Sequence, residues 1–151
     1  MNFGQAYILL FKITFILPFL LITFIKASEN QTNIWLITNI KTKVNSISKR
    51  DLKALFLMQK SKITQFNLSI LEYRFDSKVR NHFSKKYLNM NKQQLQKYWM
   101  TRFVNIGQNE PVSKKNYKVI EYNLRKKVNI ISYCFIQKSL HPKLKRVIIT
   151  P

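Results

Sequence analysis

"NLSILEYRFDSKVRNHF", residues 67–83, is the stretch on which the fold turns. Its first seven residues form an apolar, strand-like run. From Asp76 the pattern changes: Val79, Phe83 and Tyr87 recur at steps of four, the spacing of one helix face. Strand, short turn, helix is the geometry that leaves free backbone N–H groups at a helix N-terminus, where the helix dipole also favours an anion. The turn holds Arg74, Asp76, Ser77 and Arg80. Ser77 adds a hydroxyl donor. Arg80 lies three residues on, on the same face, where a guanidinium can fork onto two oxygens. Arg74 approaches from the strand end. Asp76 either caps the helix or holds an arginine. A plainer reading of the same residues makes Asp76 the cap, Ser77 the first helical residue and both arginines solvated.

The chain on either side continues the alternation. "NIWLITN" (33–39) is a short β-type run. Within 46–60, "SISKRDLKALFLMQK", Ser48 is the expected N-cap. Asp51 stands at capping-box spacing, and Ile47 and Leu52 are placed as a staple. The 90–104 segment repeats this logic with Asn91 as cap and Gln94 three residues later, and Leu95, Trp99 and Phe103 are expected on one face. A helix is expected over 112–127, beginning at Ser113 and burying Tyr117, Ile120 and Leu124. Strands follow at 128–136 and 144–150. Gly107 is the one glycine after Gly4, so 102–111 is the turn-rich loop. The pattern predicts a single small α/β domain: a mixed sheet of about four strands, with the 33–39, 67–73 and 128–135 strands together, and about four helices.

Composition bounds the function. The 151 residues are 46% hydrophobic, enough for a core. Lys and Arg number 27 against six acids, a formal net charge of +21. Such a field draws in anions. The cations are mostly Lys scattered along a chain also crowded with Asn and Ile, a bias that an AT-rich coding sequence supplies without selection for nucleic acid. The single cysteine, Cys134, excludes an internal disulfide and a cysteine-built metal site, and reads as a small core residue. His82 and His141 read as surface side chains. No metal site or cofactor is expected. Neither HExxH, a P-loop nor Gly-x-Ser-x-Gly occurs, and six scattered acids leave little for general acid–base chemistry, so no enzyme is expected.

Residues 13–25, "ITFILPFLLITFI", form an uncharged apolar run, short of the roughly 20 residues of a spanning helix. Ala27 follows at a site suited to cleavage, so residues 1–27 read as a signal peptide and 28–151 as the mature domain. The alternative is an uncleaved anchor over 6–25, with Lys12 tolerated by snorkelling.

The order of these features resembles the phosphate-binding-protein-like (type II) domain of periplasmic ABC-transporter substrate-binding proteins, in its short stand-alone form. The matching blocks are "IWLITN", "ISKRDLKALFLMQK", "SKVRNHF", "LNMNKQQLQKYW", "FVNIG", "EPVSKKNYKVIEYNL" and "VNIISYCF", in register across about residues 33–135. The resemblance implies one lobe of a periplasmic binding protein. It also implies an oxyanion ligand, with phosphate first, a periplasmic location and an inner-membrane transporter or sensor as partner. Expected carriers are Ser77, Arg80, Arg74 and Asp76. The chain departs from the family pattern where glycines are replaced, at Met58, Asn129 and Ser132, which is expected to remove positive-φ positions. A ligand-free structural or sensory subunit that keeps the fold is therefore the alternative. A nucleic-acid binder is supported by charge alone. Tyr98 and Trp99 are the aromatics available for stacking, but Trp99 belongs to a core stripe and the apolar N-terminus favours export.

Overall fold

Strand β1 (Ile34–Asn39) forms the middle of a five-stranded mixed sheet in a computed structural model that describes residues 33–60, 65–136 and 139–151. The expected signal peptide or anchor lies outside the described residues. The chain continues through β2 (Ser46–Ser48), α1 (Lys49–Phe56), β3 (Ser69–Ile70), β4 (Glu72–Tyr73) and α2 (Lys78–Phe83), which runs on into a π-helical turn, Ser84–Leu88. Then come α3 (Lys92–Ile106), β5 (Ser113–Lys114), α4 (Tyr117–Lys126), β6 (Ile130–Phe135) and β7 (Leu144–Thr150). The sheet order is β2-β7-β1-β6-β3. Strand β1 runs antiparallel to β6 and β7, whereas β2 pairs parallel with β7 and β3 parallel with β6. The α/β class is as expected, with Ser46–Ser48 as an additional edge strand.

The 67–73 run is not one strand. Leu71 N–H donates to Ile131 O and ends the pairing with β6, while Glu72 N–H donates to Val112 O and opens a separate two-stranded sheet with β5. The chain changes partner at one residue, which hydropathy cannot register because the change depends on which distant strand lies alongside.

Helix starts follow local chemistry where local chemistry suffices. Ser48 caps α1: its Oγ accepts from Asp51 N–H at 3.0 Å and donates to the Asp51 carboxylate at 2.8 Å. The helix therefore opens at Lys49, and Ile47 and Leu52 are both core residues. Asn91 and Gln94 form a reciprocal capping box at α3. Leu95 and Trp99 are buried, but Phe103 is exposed, because α3 runs out beyond the core after Trp99. Tyr98 Oη donates to Leu57 O and ties α3 to the end of α1. The expected start at Ser113 is wrong. Ser113 is paired with Glu72 in a strand, and Asn116 caps α4 by accepting from Val119 N–H.

Two of the three replaced glycine positions keep a left-handed backbone, and the third, Ser132, lies within β6. Met58 sits at φ 50° and Asn129 at φ 61°, both left-handed. Asn tolerates this region, while Met is strained in it. Gly107, at φ 64°, ends α3.

Tyr133 on β6 turns to one face of the sheet, where the Phe83 ring stacks on it at 3.8 Å and Phe56 lies at 5.6 Å. Cys134, buried next to it in the strand, turns to the other face, towards Tyr117. Asn39, at the end of β1, donates to Leu124 O and Arg125 O and closes the last turn of α4. His82 is half-buried against Phe135 rather than on the surface.

Candidate functional site

Strands β4 and β5 pair in parallel, Glu72 with Ser113 and Tyr73 with Lys114. Each then turns directly into a capped helix: β4 into α2 through Ser77, and β5 into α4 through Asn116. Parallel strands deliver both helix starts to the same end. Between them lies a cavity of about 320 Å³ whose wall includes Ser77, Lys78, Lys115, Asn116, Tyr117 and Cys134. The caps engage the amides of Arg80 and Val119, at 3.1 and 3.2 Å. Helix geometry leaves the N–H groups of Lys78, Val79, Tyr117 and Lys118 without intrahelical acceptors, and these carry the positive ends of both dipoles. Lys78 and Lys115 are exposed and add two full charges. No acid belongs to the cavity wall. The wall thus carries hydroxyl, amide and ammonium groups and no carboxylate.

The cavity holds no activated nucleophile. Burial pushes the Cys134 thiol up to about 12, against a smaller opposing effect of Arg146. Burial likewise pushes Tyr117 up to about 12. Both stay protonated at neutral pH.

Of the four residues expected to carry the site, Ser77 lies in the cavity wall. Arg74 and Asp76 stand together outside it, with Arg74 Nε 3.6 Å from Asp76 Oδ1, both mostly exposed. Asp76 thus holds an arginine rather than capping the helix, which Ser77 does. Arg74 N–H donates to Lys114 O, stitching the two units at the turn.

Arg80 departs from its expected role. It is 2% exposed and turned inward. Nη1 donates to Tyr73 O at 3.0 Å and Nη2 to Glu110 Oε2 at 2.7 Å, while Nε lies 3.6 Å from Glu72 Oε2 and the guanidinium sits over the Phe75 ring. The fork is already filled by protein oxygens. A buried guanidinium demands such partners, since an unpaired charge in the core is costly.

Glu72, Glu110 and Tyr133 are the partners that sequence reading missed. Glu72 is buried, and burial raises its carboxyl above the usual range, outweighing Arg80, which opposes it. Tyr133 Oη donates to the same carboxylate, and burial pushes that phenol well up. One signal was available: an acid within the apolar run "NLSILEY" requires a cation nearby in space. Lys115 and Asn116 were missed because the α4 start was placed at Ser113, and Lys78, the first residue of α2, did not stand out among the scattered lysines.

No protein-family model and no curated protein matches the sequence. Solved structures match the fold. An ABC-type phosphate transport receptor from Vibrio cholerae superposes with a TM-score of 0.54 at 9% identity, covering 77% of this chain and 45% of the receptor. A putative phosphate ABC transporter substrate-binding protein with bound phosphate from Clostridium perfringens superposes at 0.58 and 13% identity, covering 77% and 44%. The chain thus has the fold of one lobe of a periplasmic binding protein and spans less than half the length of these similar proteins. The first is named as a transport receptor and the second as a substrate-binding protein.

Proposed function

We propose that this chain is an exported oxyanion-binding module without enzymatic activity, with phosphate as its ligand and an inner-membrane transporter or sensor as its partner. One observation carries the reading: two parallel strands feed two capped helix starts into one cleft bearing Ser77, Lys78 and Lys115 and no acid. The fold shared with phosphate receptors supports it. The cleft amides and the Ser77 hydroxyl meet the anion. Lys78 and Lys115 neutralise it. Arg74, steadied by Asp76, attracts it from the rim, and Arg80 acts from behind as a structural tie. Export rests on the apolar 13–25 run and Ala27, and mass spectrometry of the N-terminus in the periplasmic and membrane fractions checks it.

Calorimetric titration with phosphate at low and high salt tests the binding. One equivalent should bind with weak salt dependence. Ser77→Ala and Lys115→Ala should weaken it, and Lys85→Ala, which lowers the charge elsewhere, should not. Equal loss in all three variants leaves diffuse attraction to a basic surface as the explanation.

A second reading is a ligand-free structural or sensory subunit. It is favoured by the Arg80 guanidinium, which Glu110 already pairs and Tyr73 O and Glu72 flank. Absence of salt-resistant binding in the same titration selects it.

A further inference from the structure

Glu110 lies on the loop between α3 and β5, three residues before Ser113, and its side chain is 41% exposed. Its carboxylate binds Arg80, which is 2% exposed and sits on α2, three residues after Ser77. This ion pair therefore joins the segment entering β5 to the helix leaving β4. Arg80 is held on its own side by Tyr73 O and Glu72, both in β4. Its guanidinium is thus a fixed post of the β4–α2 unit. Beyond the short backbone pairing of the two strands, Glu110 is the charged tie from the β5–α4 unit to that post. We infer that Glu110 is a positioning residue, which sets the spacing between Ser77 and Lys78 on one wall of the cleft and Lys115 and Asn116 on the other. The inference rests on the reading of the cleft as an oxyanion site. An anion gripped from two walls is sensitive to their separation, since a shift of a fraction of an ångström spoils hydrogen bonds that need about 2.7–3.2 Å.

The test uses the full chain and inorganic phosphate. Glu110→Gln keeps the size and loses the charge. It should weaken phosphate binding about tenfold, and combining it with Lys115→Ala should cost less than the two single losses together, the coupling expected when one residue positions the other. Unchanged binding, full additivity, or tighter binding overturns the inference. Tighter binding would mean that Glu110 competes with the anion for Arg80. Amide exchange without phosphate gives a readout independent of ligand. Residues 113–119 should exchange faster in Glu110→Gln, and unchanged exchange there also overturns it. Glu110→Asp, which keeps the charge but not the reach, should show the same acceleration and serves if the Gln variant does not fold. If phosphate fails to bind the wild-type chain but the exchange accelerates, the tie stands and the oxyanion reading falls. If wild-type binding depends on Lys115 and neither variant alters binding or exchange, the reading stands and the tie falls.

Discussion

Glu72 shows how much a single buried residue reveals about this chain. Its carboxyl is raised by burial more than Arg80 lowers it. A carboxyl with a raised folded pKa holds its proton more tightly in the folded state. Its contribution to stability is therefore complete below the unfolded value of about 4.5 and is lost as pH rises through the folded value. Urea denaturation at a series of pH values should show stability declining upward from about pH 4.5 through this window. Glu72→Gln, which keeps an acceptor for Tyr133 but cannot ionise, should remove that component of the slope. Parallel pH profiles for the two proteins would mean that Arg80 dominates. Met58 is a second informative residue. A left-handed non-glycine residue costs about 1–2 kcal/mol. Met58→Gly should relieve this, less the chain entropy that glycine adds, for a net gain of up to about 1 kcal/mol in chemical denaturation. A destabilised variant would show that partial burial of the Met58 side chain outweighs the strain.

Among the elements, α4 departs furthest from its reading. Ser113 and Asn116 are both competent caps, and the local sequence does not choose between them. The choice comes from β5, which takes Ser113 and Lys114 into a strand against Glu72 and Tyr73 and delays the helix to Tyr117. Asn116→Ala should therefore cost about 0.5–2 kcal/mol of stability, while Ser113→Ala, at an exposed position, should stay within about 0.5 kcal/mol. The reverse order in thermal melts would return the cap to Ser113. Helix α3 makes the complementary point. Its cap was legible because Asn91 and Gln94 are three residues apart and bond only to each other's backbone. Its packing was not: the apolar stripe continues through Phe103, but the core it faces ends at Trp99.

Across the whole molecule, charge is lopsided in a specific way. Every acid among the described residues has a partner: Asp51 with Ser48, Glu72 and Glu110 with Arg80, Asp76 with Arg74, Glu121 with Arg125. The lysines therefore repel one another across a chain of formal charge +21. Screening should stabilise the fold, because the Debye length falls to about 10 Å at 0.1 M salt. The melting temperature should rise between about 0.02 M and 0.3 M sodium chloride, before salt at higher concentration acts on hydrophobic burial. A falling melting temperature would mean that the ion pairs, not the repulsion, govern stability.

The α/β class, most of the strands and the caps at Ser48 and Asn91 were legible from residues close together in the chain. Helix and strand periods, and side chains that bond backbone three residues away, are encoded locally. The strand–turn–helix order at 67–83 was legible too, and with it a helix start beside Ser77. The break at Leu71, the inward turn of Arg80 and the cleft between Ser77 and Lys115 were not. Each depends on which distant strand lies alongside: β6 up to Leu71, then β5 from Glu72. An arginine three residues after a cap points to solvent or to the core according to whether carboxylates wait inside. Glu110, thirty residues further along the chain, comes within reach of Arg80 only once β4 and β5 have paired. Long-range pairing and the cost of burying an unpaired charge settle such positions, and neither is a property of neighbouring residues.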